Sequence, residues 1–203
     1  MPPPSVMKFG NNNTYKVFGT AQINFKGIHH FESLYKMMHD WMTSRGFKHF
    51  PTGSDNIEDY FQEYILSTGG PKNNWIWWRT MREENKMFNY YMEVNMQVLV
   101  MTTKEVVFKG EKIKMNDAEI SIFITGYLQV DPNKQWIDKK DHFLEKAYEL
   151  FKEKEFIGII DEHETSVGMA CMDLFERCKQ HLNLMTSISL QKPFHPELGY
   201  PQL

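Results

Sequence analysis

The sequence predicts an α+β fold: a curved antiparallel β-meander packed against one N-terminal and two C-terminal helices, with extended terminal arms. Three observations predict it. From Phe88 to Val100 every even position is apolar (Phe88, Tyr90, Met92, Val94, Met96, Val98, Val100), and the odd positions are mostly polar. Such sustained period-2 alternation belongs to a strand with one buried face, here spanning roughly 43 Å at about 3.3 Å per residue. A second run repeats the pattern, with Ile120, Ile122, Ile124, Leu128 and Val130 opposite Glu119, Ser121, Thr125 and Gln129. Helical stripes flank the strands on both sides, from Phe31 to Met42 and from Val167 to Leu182, and supply the layer that the apolar face requires.

In chain order, residues 1–14 read as an arm, with Pro2 to Pro4 followed by a Gly-Asn run. Residues 15–190 form the single domain, and residues 191–203 a second, proline-rich arm. Tyr15 to Ile28 is a strand with Val17, Ile23 and Phe25 as core candidates. The first helix carries Phe31, Leu34, Tyr35, Met38, Trp41 and Met42 on one side and ends at Gly46, the residue type that closes a helix in the left-handed conformation. The run EDYFQEYIL fits a helix face or a strand, and its aromatic content and the STGGPKNN turn that follows favour the strand. Trp75 to Arg82 is another strand, with Trp75 and Trp77 on one face and Ile76 and Trp78 on the other.

Thr102-Thr103 is expected to separate the long strand from a tight hairpin turning at Gly110, and Asn116-Asp117 to turn the chain again into the second long strand. Alternation also predicts that the sheet has one wet side. Asp141 fits the N-cap of a helix bearing Leu144, Tyr148 and Phe151. A break around Phe156 to Ile160 then precedes a last helix starting near Ser166.

Composition narrows the function. At 203 residues with 41% hydrophobic and 24% charged side chains, the chain has enough apolar material for one substantial core. Net charge is −3, near +1 over residues 1–100 (10 basic, 9 acidic) and near −4 over the remainder (13 basic, 17 acidic), so neither half has the electrostatic footprint of a general nucleic-acid binder. The start MPPPSVMKFG carries no apolar signal-peptide core, and no apolar run reaches the length of a membrane span. A cytoplasmic protein, or one carried within an assembled particle, is the expectation. Cys171 and Cys178, about 10 Å apart along one helix, are expected to be reduced and core-facing.

Motifs for chemistry are missing. His29-His30 diverge along a strand, and the acidic stretch Asp161-Glu162-His163-Glu164 reads as a connection and helix start, so no metal site and no cofactor are expected. No nucleophile elbow or phosphate-binding loop is present. The best lead is aromatic. Trp75, Trp77 and Trp78 beside Arg79 predict packing within the chain, a protein interface or, less favoured by the charge balance, base stacking. Phe194, Leu198 and Tyr200 on the C-terminal arm are spaced for docking on a neighbour.

The order Trp75-Ile76-Trp77-Trp78-Arg79, long strand, FKGEKIKMNDAEISIFITGYLQVD and Trp136 before the helices resembles a loosely defined family of small archaeal proteins with no assigned function. The likeness covers roughly residues 30–184 and implies no site residues. Three functions remain. The first is a non-enzymatic structural or assembly subunit, built of copies of itself or docked on a larger particle. The second is a helix-grip binder of a hydrophobic small molecule, and the third an RNA- or ribosome-associated factor. The first is preferred, with Trp75, Trp77, Trp78, Arg79, Phe194, Leu198 and Tyr200 as its partner-binding residues.

Overall fold

The computed structural model describes residues 7, 9, 13–108, 111–132 and 156–183. Its elements are β1 (Thr14–His29), α1 (Phe31–Ser44), β2 (Lys48–His49), β3 (Glu58–Ile65), β4 (Lys72–Asn85), β5 (Phe88–Phe108), β6 (Glu111–Val130) and α2 (Phe156–His181). The strands make one 6-stranded antiparallel sheet in the order β1-β6-β5-β4-β2. β3 pairs with residues 72–78 of β4, and β2 with residues 80–81. An α+β class with a predominantly antiparallel sheet is therefore what the chain adopts. The expected helix after Asp141, Trp136, the Gly110 turn and the C-terminal arm lie outside the described residues.

The inner face of the sheet is the apolar one that alternation predicts. Met92, Val94, Met96, Val98, Ile120, Ile122, Ile124 and Leu128 are all buried, and Ile76 and Trp78 join them from β4. Leu34, Met38 and Met42 of α1 and Val167, Cys171, Leu174 and Cys178 of α2 complete this core. Burial without polar contact pushes both thiols up to about 12, as inert packing cysteines require. α2 lies directly on the sheet at Gly126, where an added Cβ would meet Cys171 Sγ at 2.6 Å and Val167 Cγ1 at 2.9 Å. The two helices are tied together by Asp173, which accepts from Trp41 Nε1 at 3.2 Å and pairs with Arg45 and Arg177.

Five expectations are corrected. β5 runs unbroken through Thr102-Thr103, because β-branched threonines suit a strand and the ladder continues from Thr103↔Asn116 to Phe108↔Glu111. Asn116-Asp117 is consequently inside β6 and not a turn. Alternation fails at Val100, which is exposed at φ 54° where the register shifts between Leu99 and Thr102; this bulge resets the strand's twist. α2 is already helical at Phe156 and does not start near Ser166, whose Oγ instead donates to the Glu162 carbonyl one turn earlier, inside the helix.

The remaining correction concerns the outer face, which is not uniformly wet. Tyr91, Glu93 and Asn95 of β5 are buried, as are Tyr127 and Gln129 of β6 and Arg79 of β4.

Candidate interaction surface

The outer face divides into two halves along the strands. In the upper half, cross-strand neighbours Arg79↔Glu93 and Tyr91↔Tyr127 place polar groups side by side. Glu93 Oε1 accepts from Arg79 Nη2 at 3.2 Å and from Asn95 Nδ2 at 3.0 Å, while its Oε2 accepts from Tyr127 Oη at 3.1 Å. Arg79 also donates to Asn95 Oδ1 at 3.0 Å and to the Trp78 carbonyl. Tyr91 Oη donates to Gln129 Oε1 at 2.6 Å. Burial pulls Arg79 below its ordinary value while Glu93 pulls it back up. Burial, and then Glu93, hold Tyr127 well above the usual tyrosine range. Arg79 and Glu93 are 4% and 2% exposed, so this pair survives out of water only because its hydrogen-bonding groups find partners.

A small apolar cap excludes the water. The Phe9 ring lies 4.9 Å from Tyr91 and 5.0 Å from Tyr127, Phe50 meets Tyr91 edge-on at 5.3 Å, and Met7 is buried beside them. Part of the segment read as an N-terminal arm is thus fixed on the sheet.

The lower half is different. Trp77 stacks on Tyr60 of β3 at 4.2 Å with an interplanar angle of 23°, and Arg79 sits 5.9 Å above the same indole. Trp75, Trp77, Gln97, Ser121 and Phe123 are half-buried, and Gln22 and Asn24 of β1 are exposed. Among the described residues this half carries mostly aromatic rings and neutral amides, and its Lys26 is paired with Glu119 at 3.9 Å, which leaves no basic track for a phosphate backbone.

At its border lies β3, the outermost strand over residues 72–78 of β4. Phe61, Tyr64, Ile65 and the adjoining Leu66 are 47–55% exposed, four large apolar side chains in six residues at a strand edge. Such an edge invites pairing with another strand unless something blunts it. Glu63 offers little protection, since its carboxylate is held by Lys72 at 3.0 Å.

The residues singled out from sequence separate accordingly. Trp75, Trp77 and Arg79 share the outer face; Trp75 and Trp77 border β3, whereas Arg79 is sealed in the polar network. Trp78 does not belong with them. It is fully buried on the inner face, edge-on to Tyr35 at 5.0 Å, and holds α1 to the sheet. Phe194, Leu198 and Tyr200 lie outside the described residues. Missed from sequence were Phe61, Tyr64, Ile65 and Leu66. Their signal was the lack of a clean apolar period in EDYFQEYIL, which suits a strand paired on one side only.

His163 stacks on Phe88 at 3.9 Å, and its Nδ1 is 2.5 Å from Tyr90 Oη, a contact that seats the start of α2 on β5. Among the described residues no group of three or more His, Cys, Asp or Glu is placed to hold a metal ion. No described helix is long and apolar enough to cross a membrane. No protein-family model and no curated protein matches the chain.

Proposed function

We propose that the chain is a non-enzymatic assembly subunit that joins copies of itself, or a larger particle, through the β3 side of its sheet. The observation that carries this is the exposed apolar edge from Phe61 to Leu66, backed by the Trp77–Tyr60 stack. The long hairpin adds to it. Beyond the Lys72↔Met101 and His29↔Asn116 pairs, residues 104–108 and 111–115 pair, among the described residues, only with each other and carry an exposed Val107. Two-stranded ribbons of this kind are marginal alone and gain stability when a neighbour covers them.

A second reading, the helix-grip binder, is favoured by topology: β1 lies beside β6, the last strand among the described residues, and α2 further along the chain covers the inner face. The close approach of Cys171 and Val167 to Gly126 leaves no space for a ligand at that crossing. Light scattering on the purified chain across a concentration series tests the proposal. A mass above the 24.1 kDa of one chain supports the assembly subunit. A monomer throughout that takes up a hydrophobic fluorophore at one per chain replaces it with the binder.

A further inference from the structure

The exposed edge also identifies what it pairs with. This step rests on the assembly reading and goes further, to the partner and the register. Leu66 N donates to the Pro71 carbonyl at 3.0 Å, which fixes the phase of the β3–β4 ladder. Hydrogen-bonding direction alternates along an antiparallel strand. Tyr60, Gln62 and Tyr64 therefore turn their backbone groups toward β4, and Phe61, Glu63 and Ile65 turn theirs outward. Among the described residues no strand meets that outward row.

A second β3 fits it. We infer that two copies of the chain join β3 to β3 antiparallel, across a two-fold axis passing through Glu63, so that the two sheets become one. In this register Phe61 of each copy lies opposite Ile65 of the other. Tyr60 lies opposite Leu66, and Gln62 opposite Tyr64. Every apolar side chain that the edge exposes then gains an apolar or aromatic neighbour, or an amide beside a ring. Moving the axis to Gln62 would set Phe61 against Glu63 and Ile65 against Asp59. Moving it to Tyr64 would set Ile65 against Glu63. The register through Glu63 has one unfavourable pair, Glu63 against its own copy, and each of these carboxylates already has Lys72 at 3.0 Å. The two carboxylates are thus flanked by a lysine on either side. An isologous contact of this kind closes on itself and leaves the projecting hairpin and the β1 edge for further growth.

The experiment uses the full chain. Light scattering gives the dissociation constant of the wild type, Phe61→Lys and Glu63→Gln, and circular dichroism with thermal melting confirms that each variant is folded. Phe61→Lys is expected to weaken the dimer at least tenfold. Glu63→Gln is expected to tighten it about two- to five-fold, the size of a removed like-charge cross-strand pair. Single-cysteine variants at residues 62, 63 and 64 are then oxidised, with Cys171 and Cys178 out of reach in the core. Cross-linking strongest at residue 63 confirms the axis; strongest at 62 or 64, it overturns this register. An oligomer indifferent to Phe61→Lys, with no cross-link at any of the three, overturns the β3 pairing and leaves the assembly reading standing on another surface. A wild type that is monomeric at every concentration overturns both.

Discussion

Both faces of β5 are closed to water over much of their length, yet they are closed by opposite means. Met92, Val94, Met96 and Val98 point inward and pack in one core with apolar side chains of the two helices. Tyr91, Glu93 and Asn95 point outward and are buried too, Tyr91 against Met7, Phe9 and Phe50, and Glu93 and Asn95 within a hydrogen-bonded network. The inner face gains from burial alone, about 25 cal/mol per Å² of apolar surface. The outer face gains little net and depends on its polar groups staying paired, since a buried carboxylate or guanidinium without its partner is far more costly than a missing methylene. One strand thus carries a tolerant face and an intolerant one.

The largest expected effect comes from breaking the intolerant side. Glu93→Gln removes the charge opposite Arg79 while leaving the shape, and is expected to cost about 3–5 kcal/mol in urea unfolding. Replacing both members, Arg79→Met with Glu93→Leu, is expected to recover most of that loss. A cost below about 1 kcal/mol for Glu93→Gln would show that water reaches the network and that the cap of Met7 and Phe9 does not seal it.

On the inner face, Met96→Ala or Ile124→Ala is expected to cost about 2–5 kcal/mol, since both side chains are fully buried. Gln97→Ala, one residue along and half-buried on the open half, serves as the control and is expected to stay within about 0.5 kcal/mol. Near-neutral behaviour at both core positions would dissolve the contrast.

Gly126→Ala probes how closely the helical layer rests on the sheet. The new methyl group would lie 2.6 Å from Cys171 Sγ, 2.9 Å from Val167 Cγ1 and 3.1 Å from Phe18 Cβ. Overpacking of this kind is expected to cost about 1–3 kcal/mol. No change in thermal midpoint would reveal space between helix and sheet, which favours the ligand binder over the assembly subunit.

How much of this was legible follows from the same contrast. The inner face is encoded locally: period 2 along β5 and β6 named its residues, and the opposition of Trp75 and Trp77 to Ile76 and Trp78 came from strand geometry alone. The outer face is encoded at long range. Tyr91, Glu93 and Asn95 look like solvent-facing residues until Met7, whose backbone nitrogen lies 3.4 Å from Glu93 Oε2 across a sequence separation of 86, covers them. Thr102-Thr103 misled because polar pairs resemble turns, while the pairing with Asp117 and Asn116 decides otherwise. The start of α2 misled because Phe156 to Ile160 is too short a run to distinguish a helix from a break. The candidate site was half legible. The tryptophans drew notice as large aromatic groups, but the exposure of Phe61 and Ile65 depends on β3 being an edge, a property of strand order that no stretch of β3 contains.

The smallest expected effect is that of acid, and it acts on the helical side. His29 ends β1 on the inner face, 94% buried, between the rings of Phe25 at 5.6 Å and Phe31 at 6.4 Å. Its Nδ1 donates to the Gly27 carbonyl at 3.1 Å, which leaves Nε2 as the unprotonated nitrogen, with no partner among the described residues. Burial holds His29 below its ordinary 6.5; the Gly27 carbonyl and Asp117 oppose that shift, while His181 and His30 add to it. His181 in the last turn of α2 is lowered by burial and by His30. Above the ordinary value both histidines are neutral in folded and unfolded chains, and stability is flat. As pH falls through 6.5 the unfolded chain takes up protons that the folded chain refuses, so stability declines until the folded-state values are reached. The slope attributable to each histidine is at most about 1.4 kcal/mol per pH unit. His30 caps α1 beside them, its Nδ1 accepting the Ser33 N–H at 3.1 Å. Urea midpoints from pH 7.5 to 5 are expected to fall in the wild type and to fall less steeply in His29→Leu. Among the described residues the sealed outer network contains no histidine, so Tyr91 and Tyr127 are expected to keep their native fluorescence polarisation while the α1–α2 side loosens. Parallel pH profiles for wild type and His29→Leu would assign the acid response elsewhere and leave the two faces equally sensitive.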